Sequence, residues 1–159
     1  MKVLNVHQRE IQQPKEIISQ LISTLSSKED KVWPTEMWPA MRFKNGLKKE
    51  SKGGHGPIRY FVKEYIIGES IEFIFLKPSG FNGAHKFEIF EIDKNTTLVK
   101  HTIKMKVSGK GLFLWLFAIR SLHDALLEDA FDKIENHFSK EKKKTNWSLK
   151  VKFLRKILN

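Results

Sequence analysis

The middle of the chain alternates between apolar and polar residues with a period of two. The clearest case is LVKHTIKMKV (98–107), where apolar residues and one histidine fall on one face and lysines and a threonine fall on the other. Similar patterns occupy residues 58–63, 70–76 and 85–90, and turn-forming residues separate them. Such alternation is typical of antiparallel strands with one covered face and one wet face. The sequence therefore predicts an antiparallel meander that needs a cover.

A long helix is predicted directly after the last of these strands, from about residue 112 to 138. Its first half is apolar almost all round, which predicts deep burial. Near the start of the chain, residues 3–11 are predicted to form a strand. Two short helical segments follow, PKEIISQLISTL (14–25) and the proline-interrupted EDKVWPTEMWPAM (29–41). We predict an α+β fold in which a curved antiparallel sheet of six or seven strands wraps around one long C-terminal helix.

Four segments and this element order carry a resemblance to a known superfamily. The segments are GGHGPIRY (53–60), GFNGAHKFEI (80–89), LVKHTIKMKVSG (98–109) and LHDALLEDAFD (122–132). They resemble uncharacterised bacterial members of the START/Bet v 1-like superfamily, also called SRPBCC or polyketide-cyclase-like. The resemblance implies a helix-grip fold with a cavity between the sheet and the long helix that holds hydrophobic ligands. Some members of the superfamily are cyclases or hydratases, and many only bind or transfer their ligands.

Most of the basic charge lies in a C-terminal tail. The formal net charge of the chain is +11, and residues 139–159 carry +7 of it, with eight basic residues and one acidic residue. The body of the chain, residues 1–138, carries 21 basic and 17 acidic residues, or +4. Because the charge density changes at this point, we predict a helix-grip domain at 1–138 and a separate basic amphipathic tail at 139–159.

The tail is predicted to form a helix with one apolar stripe and one basic face, which is typical of helices that contact anionic membrane surfaces. The residues predicted to make this contact are Trp147, Val151, Phe153, Leu154 and Leu158. Two alternatives remain open: the apolar stripe could pack on the domain, and LKVKF (149–153) alternates enough to form an edge strand. Nucleic acid is not the expected partner, because a single tryptophan is the only stacking platform in the tail.

The composition excludes several classes of site. The chain has no cysteine, which excludes disulfides, thiolate metal sites and cysteine nucleophiles. The first residues, MKVLNVHQREI, are too polar for a signal peptide, and the apolar run LFLWLFAI (112–119) is too short to span a membrane. We therefore expect a cytoplasmic protein that could associate with a membrane surface through its tail.

The glycine-rich segment GGHGPIRY (53–60) invites comparison with phosphate-binding loops. Such loops lie between a strand and a helix and carry GxxxxGK[ST] or GxGxxG. Here the glycines precede a strand, and neither spacing is present. We interpret Gly53, Gly54 and Gly56 as residues that permit a bend or bulge, with His55 at the mouth of the implied cavity.

Three further histidines fall on faces predicted to line the cavity. His85 and His101 lie on neighbouring strands of one hairpin, and the predicted turn offsets them by four residues, on the order of 13 Å. That offset excludes a shared metal ion, whose bonds are about 2 Å long. His123 is predicted to point from the long helix toward the sheet, where it could act as a general base.

The carboxylates near His123 are predicted to be structural. Asp124 and Glu128 lie one helical turn apart, and we expect them to tie the helix to the sheet through Arg59. No serine nucleophile has an evident partner in the sequence. We therefore predict no catalytic residue, no metal and no cofactor.

Aromatic residues are more numerous than a helix-on-sheet core of this size needs, so several are predicted to line the cavity beside a few polar anchors. The predicted ligand-binding residues are Trp33, Trp38, Met41, His55, Tyr60, Phe73, Phe75, His85, Phe87, His101, Ile103, Met105, Ile119 and His123. We predict a protein that binds, or binds and transfers, a small hydrophobic or amphipathic molecule. The alternatives are a cyclase- or hydratase-type enzyme that uses the cavity histidines, and an interaction protein that acts through its tail.

Overall fold

One antiparallel sheet organises the computed structural model, which describes residues 1–158. The strands are β1 Lys2–Ile11, β2 Arg42–Phe43, β3 Lys52–His55, β4 Ile58–Ile66, β5 Ser70–Lys77, β6 Phe81–Asp93 and β7 Thr96–Val107. Their order across the sheet is β1-β7-β6-β5-β4-β3-β2, and every neighbouring pair is antiparallel. Bulges interrupt the β4–β5 pairing twice, once on each strand, and the β6–β7 pairing once on β6; such bulges bend a strand and curve its sheet.

The helices are α1 Lys15–Ile22, α2 Gly109–Leu114, α3 Arg120–Phe138 and α4 Leu149–Leu158. A π-helical turn, Trp115–Ile119, joins α2 to α3, so that one long helix runs from Gly109 to Phe138. Of the two short helices predicted after β1, the first is α1. The second is a single turn in which the carbonyl oxygen of Pro34 accepts hydrogen bonds from the amides of Met37 and Trp38. Pro34 and Pro39 lack an amide hydrogen and prevent a longer helix there.

The long helix covers one face of the sheet. The residues predicted to face it on β7, namely Val99, His101, Ile103 and Met105, are at most 4% exposed. On α3 the buried apolar residues are Leu126, Leu127, Ala130, Phe131 and Ile134. The predicted α+β helix-grip architecture is therefore confirmed.

Deep burial of the first half of the long helix was predicted, and this prediction is wrong. Phe113 and Phe117 are 63% and 67% exposed, and Leu114 and Leu116 are also exposed. Only one stripe of this segment contacts the sheet side, where Trp115 packs edge-on against Phe81 with ring centroids 6.2 Å apart. Within residues 1–158 no second layer covers the outer side of the helix, so apolar residues there face solvent. None of the helices in this range combines the length and hydropathy needed to cross a bilayer.

The glycine-rich segment forms the β3–β4 hairpin rather than a ligand-binding loop. Gly56 turns the chain with a φ of 46°, a conformation that favours glycine. Gly54 lies within β3, where a Cβ atom would come within 2.0 Å of the carbonyl oxygen of Ile58. The glycines therefore permit a tight turn and a close backbone approach, in agreement with the predicted bend.

Candidate functional site

The β6–β7 hairpin brings His85 and His101 together, which corrects the separation predicted for them. Asp93 pairs with Thr96 at the turn, one residue out of the expected register, and the bulge between Glu91 and Asp93 shifts it by one more, so that His101 faces Phe87 and His85 faces Ile103. The two histidines are offset by two residues rather than four, and Nδ1 of His85 lies 3.2 Å from Nε2 of His101. The turn could be located in the sequence, but a bulge adds a residue without a clear sequence signal.

Five of the six histidines lie along one path through the interior, which we call the histidine row. It consists of His7, His123, His101, His85 and His55, and Tyr60 links the last two. The rings of His7 and His123 are 5.7 Å apart and those of His123 and His101 are 5.1 Å apart, measured between centroids. The sequence placed His101 and His123 on facing elements, and the structure brings them into contact.

Aromatic rings enclose the far end of the histidine row. His85 stacks between Phe73 and Phe75, with centroid separations of 4.7 and 4.9 Å, and Tyr60 packs edge-on against it at 4.6 Å. The Tyr60 hydroxyl lies 2.9 Å from Nδ1 of His55. These five side chains come from four different strands, so the predicted cavity-facing residues of β3 to β6 do meet at one place.

Burial keeps the inner histidines neutral. Removal from water lowers the pKa of His55 to about 3 and lowers the pKa of His85 and of His101 well below the usual value, with nearby histidines adding to the effect. Several ring nitrogens in the row have no hydrogen-bond partner among the described residues: Nε2 of His85, Nδ1 of His101, and both nitrogens of His123. A buried polar atom without a partner costs on the order of 1–3 kcal/mol. These atoms are therefore available to a polar group of a bound molecule.

An ionic network holds α3 against β1 at the outer end of the row. His7 lies 3.0 Å from Asp124 Oδ1 through Nε2 and 3.0 Å from Glu128 Oε1 through Nδ1. Arg9 donates to Glu128 at 2.7 Å and to Asp132 at 3.0 Å. Burial alone would lower the pKa of His7, but the hydrogen bonds and charges of the two carboxylates outweigh it and raise this pKa. Opposite charges on facing elements thus fix the helix on the edge strand.

This network corrects the predicted role of Arg59. Arg59 donates to the carbonyl oxygens of Gly56 and Ile58 and does not contact the carboxylates of α3. The sheet residues that contact those carboxylates are Asn5, His7 and Arg9, which occupy alternate, inward-facing positions of β1. Because the inward face of β1 is polar, its alternation was weak in the sequence, and His7 was missed as a site residue.

The remaining predicted ligand-binding residues divide between the row and other parts of the core. Phe87 packs edge-on against His101 with ring centroids 4.5 Å apart, and Trp33 packs against His55 at 4.8 Å. Trp38 lies away from the row, where its indole donates to Asp129 at 2.7 Å. The others are core or helix positions: Met41, Ile103 and Met105 are buried, and Ile119 is half-buried in the π-helical turn.

The row is filled by its own side chains. Tyr60, Phe73 and Phe87 are at most 1% exposed and contact their neighbours directly. A groove of about 350 Å³ lies elsewhere, between α3, the turn at 34–37 and the start of the tail. Its lining includes acidic and basic side chains, so it does not correspond to the apolar cavity that the resemblance implies. Entry of a molecule into the row requires that these side chains separate.

The tail folds back on the domain. Trp147 donates to Asp129 at 2.8 Å and packs on Trp38 with ring centroids 5.4 Å apart. Arg155 stacks over the Trp38 ring at 4.7 Å, and Val151 is 3% exposed. Packing of the apolar stripe on the domain, one of the two alternatives to membrane contact, is therefore observed. The other alternative, an edge strand at residues 149–153, is wrong because these residues lie in α4.

The fold, unlike the sequence, matches known proteins. No family model matches the chain, and no curated protein matches it significantly. A START superfamily protein from Mycobacterium smegmatis has a TM-score of 0.56 at 15% identity, covering 84% of this chain and 95% of that chain. Norcoclaurine synthase from Thalictrum flavum, in complex with dopamine and hydroxybenzaldehyde, has a TM-score of 0.63 at 11% identity, covering 89% of this chain and 90% of that chain. This chain has the START/Bet v 1-like fold.

A third solved structure is similar to this chain over most of its length. It is an uncharacterised protein from Bacillus thuringiensis, with a TM-score of 0.60 at 16% identity, covering 86% of this chain and 98% of that chain. The predicted resemblance to this superfamily is confirmed at the level of the fold. At such low identity the residues of a neighbour's site do not transfer, so the function must be inferred from this chain's own side chains.

Proposed function

We propose that this START/Bet v 1-like domain binds a small hydrophobic or amphipathic molecule between the sheet and the long helix. The observation that carries the proposal is the histidine row, in which buried ring nitrogens of His85, His101 and His123 lack partners beside aromatic walls. Apolar walls with a few convergent polar groups are typical of small-molecule sites. A ligand with an apolar body and one polar group would pack against the aromatic walls and give the ring nitrogens a hydrogen-bond partner.

The structural neighbours support the same class of ligand. The norcoclaurine synthase structure contains two small aromatic molecules, dopamine and hydroxybenzaldehyde. In this chain, the π-helical turn Trp115–Ile119 lies next to the row, with the Trp115 ring 6.4 Å from His123. π-Helical turns occur frequently at functional sites. We propose that this turn is where side chains move to admit the ligand.

A cyclase- or hydratase-type enzyme is the alternative. Acid–base catalysis is most effective when the pKa of the catalytic group is near the working pH. Burial lowers the pKa of His85 and of His101 well below that range, which makes them poor bases at neutral pH. Hydrogen bonding to a ligand does not require protonation of either ring. Binding is therefore the better supported function.

Replacing Tyr60 by Phe tests the binding proposal. The change keeps the ring that packs on His85 and removes the hydroxyl bonded to His55. We expect the affinity for 1-anilinonaphthalene-8-sulfonate, measured by fluorescence titration, to change by about 1–3 kcal/mol because one buried polar anchor is lost. Native mass spectrometry of the purified protein would identify any molecule that the row retains.

Tyr65→Phe is the matched control, because it removes the other tyrosine hydroxyl of β4 at a half-buried position outside the row. Its affinity for the probe should equal that of the wild type. If the Tyr60→Phe variant bound the probe as tightly as the wild type, or no longer unfolded cooperatively, Tyr60 would be a core residue. It would then no longer support the binding proposal.

A second candidate function is contact with an anionic membrane surface through α4. Of the residues predicted to face the membrane, Trp147 and Val151 instead contact the domain and Leu154 is half-buried, whereas Phe153 and Leu158 are exposed. The free side exposes Leu149, Phe153 and Ile157, which are 62–83% exposed. Lysines 150, 152 and 156 flank this stripe. An apolar stripe between lysines suits the boundary between headgroups and acyl chains.

Vesicle sedimentation tests this second candidate. We expect the wild type to bind phosphatidylcholine vesicles that contain phosphatidylserine and not those without it. Replacing Leu149, Phe153 and Ile157 by Ser should weaken binding at least about tenfold, because the apolar area that enters the membrane is lost. The docked residues are unchanged in this variant, so its melting temperature should stay close to that of the wild type. Equal sedimentation of both proteins, or of neither, would exclude this surface.

A further inference from the structure

Three potential metal ligands converge where β1 meets α3. His7 Nε2 lies 3.0 Å from Asp124 Oδ1, and His123 Nδ1 lies 3.7 Å from the same oxygen. One donor atom from each of the three side chains lies within 4.8 Å of the other two. Zinc bonds of about 2.0–2.2 Å place neighbouring donor atoms about 3.0–3.5 Å apart. Small side-chain rotations would therefore bring all three atoms to coordinating distance.

We propose that His7, His123 and Asp124 bind a divalent transition-metal ion, with Zn²⁺ as the best match. Two imidazoles and one carboxylate form a donor set that such ions favour over calcium or magnesium, which prefer oxygen ligands. The site shares His123 with the proposed ligand-binding row, whereas His55, Tyr60 and His85 take no part in it.

The surroundings of His7 and Asp124 resemble the outer shell of a metal site. Glu128 Oε1 lies 3.0 Å from Nδ1 of His7, so it can accept the proton of that nitrogen and leave Nε2 free to coordinate. Arg9 holds the other oxygen of Glu128 at 2.7 Å. Asn5 donates to Asp124 Oδ1 at 2.9 Å. His7 and Asp124 are thus oriented by Glu128 and Asn5, which do not need to contact the ion.

The ring of His123 lies at the site, is mostly buried and lacks a hydrogen-bond partner among the described residues. Its side chain is 11% exposed, and neither of its ring nitrogens has a hydrogen-bond partner among residues 1–158. Coordination would give Nδ1 the partner that it lacks. Asp124 is 37% exposed, which leaves a path from solvent to the three donor atoms. The competing arrangement is a doubly protonated His7 that donates from Nε2 to Asp124 and from Nδ1 to Glu128, which leaves His123 unused.

Cobalt titration of the full chain tests the proposal. After treatment with a chelator and removal of any affinity tag, Co²⁺ should bind at one ion per chain and produce visible absorption bands that Zn²⁺ abolishes. His123→Gln should weaken Co²⁺ binding at least about 100-fold, and Glu128→Gln should weaken it about 10–100-fold through the loss of orientation. His137→Gln removes an exposed histidine elsewhere on α3 and should leave binding unchanged.

The variants separate a metal site from a structural ion pair. Because the ring of His123 has no hydrogen-bond partner among residues 1–158, its replacement by Gln should preserve folding, and circular dichroism checks this. If it does not fold, Asp124→Asn provides the same comparison. Zn²⁺ should also raise the melting temperature of the wild type and of His137→Gln but not of the ligand variants. Absence of cobalt bands in the wild type, or equal affinity in the His123→Gln variant, would overturn the proposal in favour of a doubly protonated His7 paired with both carboxylates.

Discussion

Deletion of residues 112–159 is expected to abolish cooperative folding, which is the largest effect that we predict. The deletion removes α3, whose Leu126, Leu127, Phe131 and Ile134 are at most 3% exposed. Complete burial of one such side chain contributes about 1.5–3 kcal/mol. Together with the uncovered face of the sheet, the loss exceeds the whole stability of a typical domain, about 5–15 kcal/mol. Urea or thermal unfolding followed by circular dichroism measures it.

Deletion of residues 139–159 alone is the matched control. It removes the contacts of Trp147 and Val151 but retains the long helix, so we expect a cooperative transition at a lower temperature. A cooperative transition in the longer deletion would mean that the sheet is stable without its cover and that burial under the long helix does not hold the fold together.

Acidification from pH 7 to pH 5 is expected to destabilise the protein strongly through its buried neutral histidines. Burial lowers the pKa of His85 well below that of the unfolded chain, near 6.5, so the unfolded state binds more protons between these two values. Stability therefore rises with pH in this window and is lost as the pH falls through it. His85 alone contributes a loss of about 2 kcal/mol at pH 5. His55, whose pKa burial lowers to about 3, adds a loss of similar size because its folded-state pKa also lies below pH 5.

The His85→Phe variant isolates this effect. A phenyl ring fits between Phe73 and Phe75, where His85 already stacks. The loss of unfolding free energy between pH 7 and pH 5, measured by urea titration, should shrink by about 2 kcal/mol in this variant. His137→Gln removes an exposed histidine and should retain the wild-type dependence. An identical pH dependence in the His85→Phe variant would contradict a neutral, buried His85.

The architecture could be predicted because it depends on local periodicity. Residues 98–107 alternate with a period of two and residues 120–138 follow a helical period, so the sequence alone determined a half-covered antiparallel sheet and a long helix. The faces of β7 were also predicted correctly, since alternation assigns each side chain to one side of its own strand. The inward positions of β1 carry polar residues, so the same signal was weak there.

Only the tertiary structure decided which of these faces meet. The pairing at the turn and one bulge in β6 together brought His85 next to His101, and pairing of β1 with β7 placed His7 opposite His101. Docking of α3 then brought His123 against both. Periodicity reports how a residue is oriented within its own element, whereas register and docking depend on contacts between residues far apart in the chain. For the same reason the sequence could not show that Phe113 and Phe117 lie beyond the cover of any second layer.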